Sequence, residues 1–232
     1  MRRICLAVLL ALLLAAVLPA AADEAGVIVQ SSCSIVKSGD YHLVYCYAQV
    51  HNQSEEIICL ESGTFELHNG EQILATEDVT RIWPYFIAPG EDGYLFDIVS
   101  FEPDESGPVV PSVTGIDYNI RYMSIALEHA GQSLEADTQI TVEPSGDVVV
   151  TCTLHNPTNM DAYDPTVAIG LYTADGLLLY ADGVTLQDVG VPAGGTVLRR
   201  FRIDDGIAGQ WGAYGVTPSH AAVKATFRTD ED

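Results

Sequence analysis

Val44-Tyr-Cys-Tyr-Ala-Gln-Val-His-Asn52 and Val148-Val-Val-Thr-Cys-Thr-Leu-His-Asn156 are the two stretches whose reading decides the fold. In the first, Val44, Cys46, Ala48 and Val50 alternate with other residues; in the second, Val148, Val150, Cys152 and Leu154 do the same. A period of two puts these side chains on one face of an extended strand, whereas a helix needs apolar residues every three to four positions. His51 and His155, which close the stretches, are 104 residues apart. The same spacing relates Leu67 of Phe65-Glu-Leu-His-Asn-Gly70 to Leu171 of Ile169-Gly-Leu-Tyr-Thr-Ala-Asp-Gly176. It also relates Gly90 of Ile87-Ala-Pro-Gly90 to Gly194 of Val191-Pro-Ala-Gly194. Three landmarks at one spacing imply a unit written twice.

Working outward, Ser38-Gly-Asp40 is echoed by Ser145-Gly-Asp147, but 107 residues on. An odd slip would turn every side chain to the other face, so one unit is expected to carry a bulge or a different turn there. The stretches 116–125 and 220–227 are read as the closing strands. Gly39-Asp40, Gly146-Asp147, Asn69-Gly70 and Asp175-Gly176 supply hairpin turns, and Pro89-Gly90 suits a type II turn. Beyond the N-terminus no segment shows a helical period. The expected fold is all-β: two tandem immunoglobulin-like β-sandwich domains after a signal peptide.

An apolar strand ending in Asn, an F-x-L-Y-D-type strand, a Pro-Gly turn and a late Phe-containing strand together resemble the FxLYD family of small extracellular β-sandwich modules. The N-terminal unit carries the pattern in Asn52, Phe65-Glu-Leu-His-Asn69, Gly70, Pro89-Gly90 and Phe96. The C-terminal unit carries it in Asn156, Ile169-Gly-Leu-Tyr-Thr173, Asp175-Gly176, Gly194 and Phe201. Ile169 stands where the pattern has Phe, and His68-Asn69 where it has Tyr-Asp. The resemblance covers most of both units. It implies the sandwich fold and a place among bacterial secreted and surface proteins, and it implies no active site.

The chain opens with Arg2-Arg3, an apolar run from Ile4 to Leu18, and Ala20-Ala-Ala22 before Asp23. This is the pattern of an export signal with a small-residue cleavage site. Signal peptide 1–22, domain 23–128 and domain 129–232 follow as the expected division. An uncleaved anchor is the alternative, since the run approaches the length that spans a bilayer. No second long apolar run follows, so no membrane span is expected after cleavage. The formal net charge is −22; losing the two signal arginines takes it to −24. Such a field disfavours nucleic acid and anionic lipid headgroups as partners.

Candidate chemistry is sparse. After signal removal the cysteines are Cys33, Cys46, Cys59 and Cys152. A hairpin at Gly39-Asp40 sets Cys33 opposite Cys46, which makes that pair the first disulfide candidate and Cys46–Cys59 the second; packing as buried thiols is the alternative. No His-x-His, His-Glu-x-x-His or Cys-x-x-Cys spacing occurs, so neither metal nor cofactor is expected. His51 and His155 read as strand-end residues, and Asn52 and Asn156 as side chains that bond loop backbone. Arg199, Arg200 and Arg202 stand out in an acidic chain and are expected to pair with nearby carboxylates, with an anionic ligand as the alternative. Trp83-Pro-Tyr85-Phe86 has no counterpart at Gln187-Asp-Val-Gly190. Trp83, Tyr85 and Phe86 are therefore the candidate binding residues, with packing between the units as the alternative. The expected function is that of a secreted, non-catalytic interaction module for an extracellular protein or glycan. A structural spacer in a surface assembly is the second reading, and a hydrolase with an unrecognised carboxylate pair the third.

Overall fold

The hairpin expected at Gly39-Asp40 forms: β1 (Gly26–Ser38) turns there into β2 (Tyr41–Asn52), with Cys33 directly opposite Cys46. The computed structural model describes residues 26–103, 109–125 and 131–227; the expected signal segment 1–22 and the boundary at 128/129 lie outside them. β2 also pairs with β6 (Asp92–Phe101), whose far edge carries the short β5 (Ile82–Trp83). The second sheet of this half has β3 (Ile57–Asn69) between β4 (Gln72–Asp78) and β7 (Gly115–Ile125). Phe65 and Leu67 from β3 meet Val44, Cys46, Ala48 and Val50 from β2 in one buried cluster, so the two sheets close a sandwich-like core.

The C-terminal half continues with β8 (Gln132–Ser133), β9 (Glu135–Val142), β10 (Val148–His155), β11 (Ala162–Tyr163), β12 (Thr166–Tyr172) and β13 (Leu178–Thr185). β14 (Gly190–Val191), β15 (Thr196–Ile203), α1 (Asp205–Ala213) and β16 (His220–Phe227) complete it. Its sheet order β9-β10-β15 corresponds to β1-β2-β6, and β13-β12-β16 corresponds to β4-β3-β7. The chain is all-β, and its sheets are antiparallel.

The misfit at Ser-Gly-Asp lies at the tip of the hairpin. Beyond Ile35↔Val44, β1 and β2 add the pairs Val36↔Leu43, Lys37↔His42 and Ser38↔Tyr41, whereas β9 and β10 end at the equivalent pair Val142↔Val148 and turn through residues 143–147. Tyr47 pairs with Phe96, and Thr151 pairs with Arg200, both members shifted by 104, so no face is reversed.

One element departs from expectation. Residues Asp205–Ala213 form a helix, where none was expected. The Asp204 carboxylate caps it by accepting from the Ile207 N–H at 3.1 Å, and the Asp205 N–H donates to Asp147 at 2.9 Å. Gly206, Gly209 and Gly212 dilute both the helical propensity and the apolar period of this short segment, so it leaves little trace in the sequence.

Both faces of β2 are used. Its inner face fills the N-terminal core, while Tyr45 and Tyr47 on the other face pack toward the C-terminal half. The Tyr47 ring lies 5.8 Å from Phe96 and 5.2 Å from Tyr180, and the Tyr172 hydroxyl donates to the Tyr94 hydroxyl at 3.0 Å. Two strand interiors are glycine where these rings approach. A Cβ on Gly183 would fall 2.1 Å from the Trp83 ring, and one on Gly170 2.4 Å from that of Tyr94. Glycine within a strand is the residue that allows so close an approach.

Two glutamines tie the halves at their sheet edges. Gln30 of β1 accepts from the Leu178 N–H at 2.8 Å and donates to the Gly176 carbonyl at 3.2 Å. In return, Gln210 of α1 accepts from the Ile35 N–H at 3.1 Å and donates to the Ile35 carbonyl. β1 and β13 are edge strands, and each amide satisfies backbone groups that an edge leaves open.

Four of the positions 104 residues from these docking groups are polar. Thr151 and Arg200 stand where Tyr47 and Phe96 do, and Glu66 and His68 where Gly170 and Tyr172 do. Arg200 is exposed, and His68 Nε2 lies 3.2 Å from the Asp117 carboxylate.

Candidate functional site

Past β5 the chain runs along the junction of the halves as Pro84-Tyr85-Phe86 before Ile87 bridges to Ile58, through hydrogen bonds of 2.9 and 3.0 Å. This anchoring fixes Tyr85 and Phe86 on the wall of a cleft of about 1090 Å³. Ile57 and Met123 continue that wall, and Tyr163, Val223 and Phe227 from the C-terminal half form the other. Tyr85 is 47% exposed and Tyr163 65% exposed, so two amphipathic rings stand at the opening.

The three candidate binding residues are therefore divided. Trp83 is only 6% exposed and serves the contact with Gly183, its ring 4.7 Å from that of Tyr85. Tyr85 is open to solvent and Phe86 is half-buried. An ion pair between Lys224 and Glu91 joins the two halves at the cleft. Burial there pulls the Lys224 ammonium below the usual lysine range. Asp92, also on the lining, is held by His51 at 2.8 Å. Arg81 is exposed beside them, which gives the apolar cleft a rim of both charges.

The remaining sequence candidates sit elsewhere. Arg202 pairs with Asp147 and, at 3.1 Å, with Glu143. Its hydrogen bond holds the Asp147 carboxyl below the usual carboxylate range. Arg199 lies 5.2 Å over the Phe201 ring. His155 bonds the Gly195 carbonyl at 3.1 Å, a strand-end role like that of His51. Cys33, Cys46, Cys59 and Cys152 are all thiols in the structure. Among the described residues no group of three or more His, Cys, Asp or Glu is placed to hold a metal ion. Nor, among them, is any helix long and apolar enough to cross a membrane.

Asn52 and Asn156 take matching positions in the two halves. Each is fully buried. Asn52 donates to the carbonyls of Glu56 at 2.7 Å and Ile87 at 2.8 Å, and accepts from the Ser54 N–H and hydroxyl at 2.9 and 2.8 Å. Asn156 donates to Met160 and Val191 at 2.8 and 2.9 Å, and accepts from the Thr158 N–H and hydroxyl at 3.1 and 2.7 Å. The Asn52-Gln-Ser54 sequon is thus turned inward and its amide is fully engaged.

Asp97 is a group that sequence reading missed. It is 8% exposed and accepts from the Thr80 hydroxyl at 2.6 Å, and burial raises its carboxyl above the usual range against the pull of those bonds. The glycines of the junction were also missed. Their signal was present: Gly170 and Gly183 interrupt strand patterns with no turn to explain them.

No protein-family model matches the chain, and no curated protein is similar to it in sequence. Among solved structures, an exo-chitosanase from Amycolatopsis orientalis superposes with a TM-score of 0.29 at 16% identity, covering 85% of this chain and 26% of its own. Red sea bream transglutaminase superposes with a TM-score of 0.24 at 9% identity, covering 75% of this chain and 27% of its own. This chain spans about a quarter of either protein, and superpositions at this level assign neither family nor activity.

Proposed function

We propose that the protein is a secreted, non-catalytic interaction module: two tandem immunoglobulin-like, FxLYD-like domains whose junction binds an extracellular protein or glycan. The observation that carries this reading is the Tyr85-Phe86 wall of the cleft. It presents an exposed phenol on a backbone fixed at both ends, at the segment the C-terminal half lacks. Anchored aromatic groups with a polar tip suit recognition because little side-chain freedom is lost on binding. The export pattern of residues 1–22 and the acidic charge support a place outside the cytoplasm.

The test is retention of the purified chain on cell-wall and glycan fractions and on immobilised secreted proteins. The native chain should be retained, and Tyr85→Ala should reduce retention about tenfold, the loss of a well-placed aromatic contact. Equal retention of both, or of neither, would overturn the proposal. A second reading, a rigid spacer, is favoured by the tied junction. It requires that no fraction retains the chain while its loss disrupts a surface assembly.

A further inference from the structure

The inner face of the N-terminal sheet holds a row of groups that the proposed cleft does not use. Cys33 of β1 lies directly opposite Cys46 of β2, and Asp97 of β6 lies directly opposite Cys46 on its other side. Opposed residues of an antiparallel pair have Cα atoms about 4.5 or 5.5 Å apart, according to their place in the ladder, with side chains on one face. A disulfide spans Cα separations of about 4.4–6.8 Å. The Cα separation of either kind of position falls within that range. The other thiols lack such a partner: Cys59 faces Met123, and Cys152 faces Thr138 and Arg199.

We propose that Cys33 and Cys46 are a dithiol that closes to a disulfide by exchange with a small-molecule disulfide, Cys33 attacking first. Access sets the order, because Cys33 is half-buried while Cys46 has no exposed surface. Electrostatics agrees. The titratable groups facing the pair are Asp97 from β6 and Tyr118 from β7, and Asp97 and Cys33 both oppose a thiolate at Cys46. The Cys33 thiolate attacks one sulfur of the reagent, whose S–S bond breaks to release a thiolate. The Cys46 sulfur, losing its proton, then attacks Cys33 Sγ and expels the second. Two protein thiols lose two electrons and two protons; the reagent gains both and leaves as two thiols.

The experiment treats the folded full chain carrying Cys5→Ser with oxidised glutathione, then counts thiols after unfolding and maps the linked peptides. Thiols should fall from four to two, with one bridge joining Cys33 to Cys46. Cys46→Ser should stop with one glutathione held on Cys33. Burial pushes the Cys33 thiol up to about 11, so the rate should rise roughly tenfold per pH unit between pH 7 and 10. Retention of all four thiols at pH 9, a bridge to Cys59 or Cys152, or arrest of the unsubstituted pair at the mixed disulfide would overturn the proposal.

Discussion

Asn52 and Asn156 concentrate the residue-scale chemistry of this fold. Each satisfies two buried carbonyls and positions a hydroxyl that bonds a loop carbonyl in turn, at 2.9 Å from Ser54 to Glu56 and 3.0 Å from Thr158 to Met160. Gly90 and Gly194 donate their N–H groups to the carbonyls of the same asparagines at 2.9 Å, each with φ near +70°, a conformation glycine adopts freely. Asn156→Ala would remove the Nδ2 bonds to the Met160 and Val191 carbonyls and the Oδ1 bonds from the Thr158 N–H and hydroxyl. A loss of about 2–6 kcal/mol is expected from four hydrogen bonds at about 0.5–1.5 kcal/mol each. Asn52→Ala should cost the same to within about 1 kcal/mol, since its partners match one for one. Urea unfolding of the two variants checks both values. The recurrence of Asn after an alternating strand made its loop-binding role legible. The carbonyls of Ile87 and Val191 lie 35 residues further along the chain, beyond the reach of a local pattern.

At the scale of elements, the junction depends on β12 and β13 being bare where aromatic rings arrive. Gly183→Ala would drive a methyl into the Trp83 ring, and overpacking of this kind costs about 1–3 kcal/mol. The ring should be displaced toward water, moving tryptophan emission to longer wavelength. Gly209→Ala is the contrast: a Cβ there meets nothing within 4 Å, and the helix should gain about 0.5–1 kcal/mol. An unchanged unfolding midpoint and emission for Gly183→Ala would show that the junction yields freely. Strands and turns were legible because alternation and turn chemistry are local. The docking face was not, because Tyr45 and Tyr47 fall on the side of β2 that a single sandwich would leave in solvent. Only the second half gives them a reason to be aromatic.

Over the whole molecule, the halves agree where strand phase and turns are set and differ where one meets the other. Tyr47 and Phe96 answer to Thr151 and Arg200, and Gly170 to Glu66. Sequence comparison of the units marked the Trp83 segment as a point of difference, and the arginine strand stood out by its charge. It could not say that Trp83 lies in the joint and Arg200 on a free face, because that depends on which sheet each half presents.

Those polar substitutions between the halves have a consequence of their own. The contact joins one sheet face to a different face of its neighbour, an arrangement that does not close on itself and that propagates when both faces stay adhesive. Here Thr151 and Arg200 on the outer face of β9-β10-β15, and Glu66 and His68 on that of β4-β3-β7, put polar groups where the joint has rings and a glycine. Thr151→Tyr and Arg200→Phe, with Glu66→Gly on the opposite face, should convert a discrete particle into a growing fibre. Light scattering would follow that growth with concentration. In the natural chain the joint forms once, and the positions that make it carry other side chains on the two outward faces.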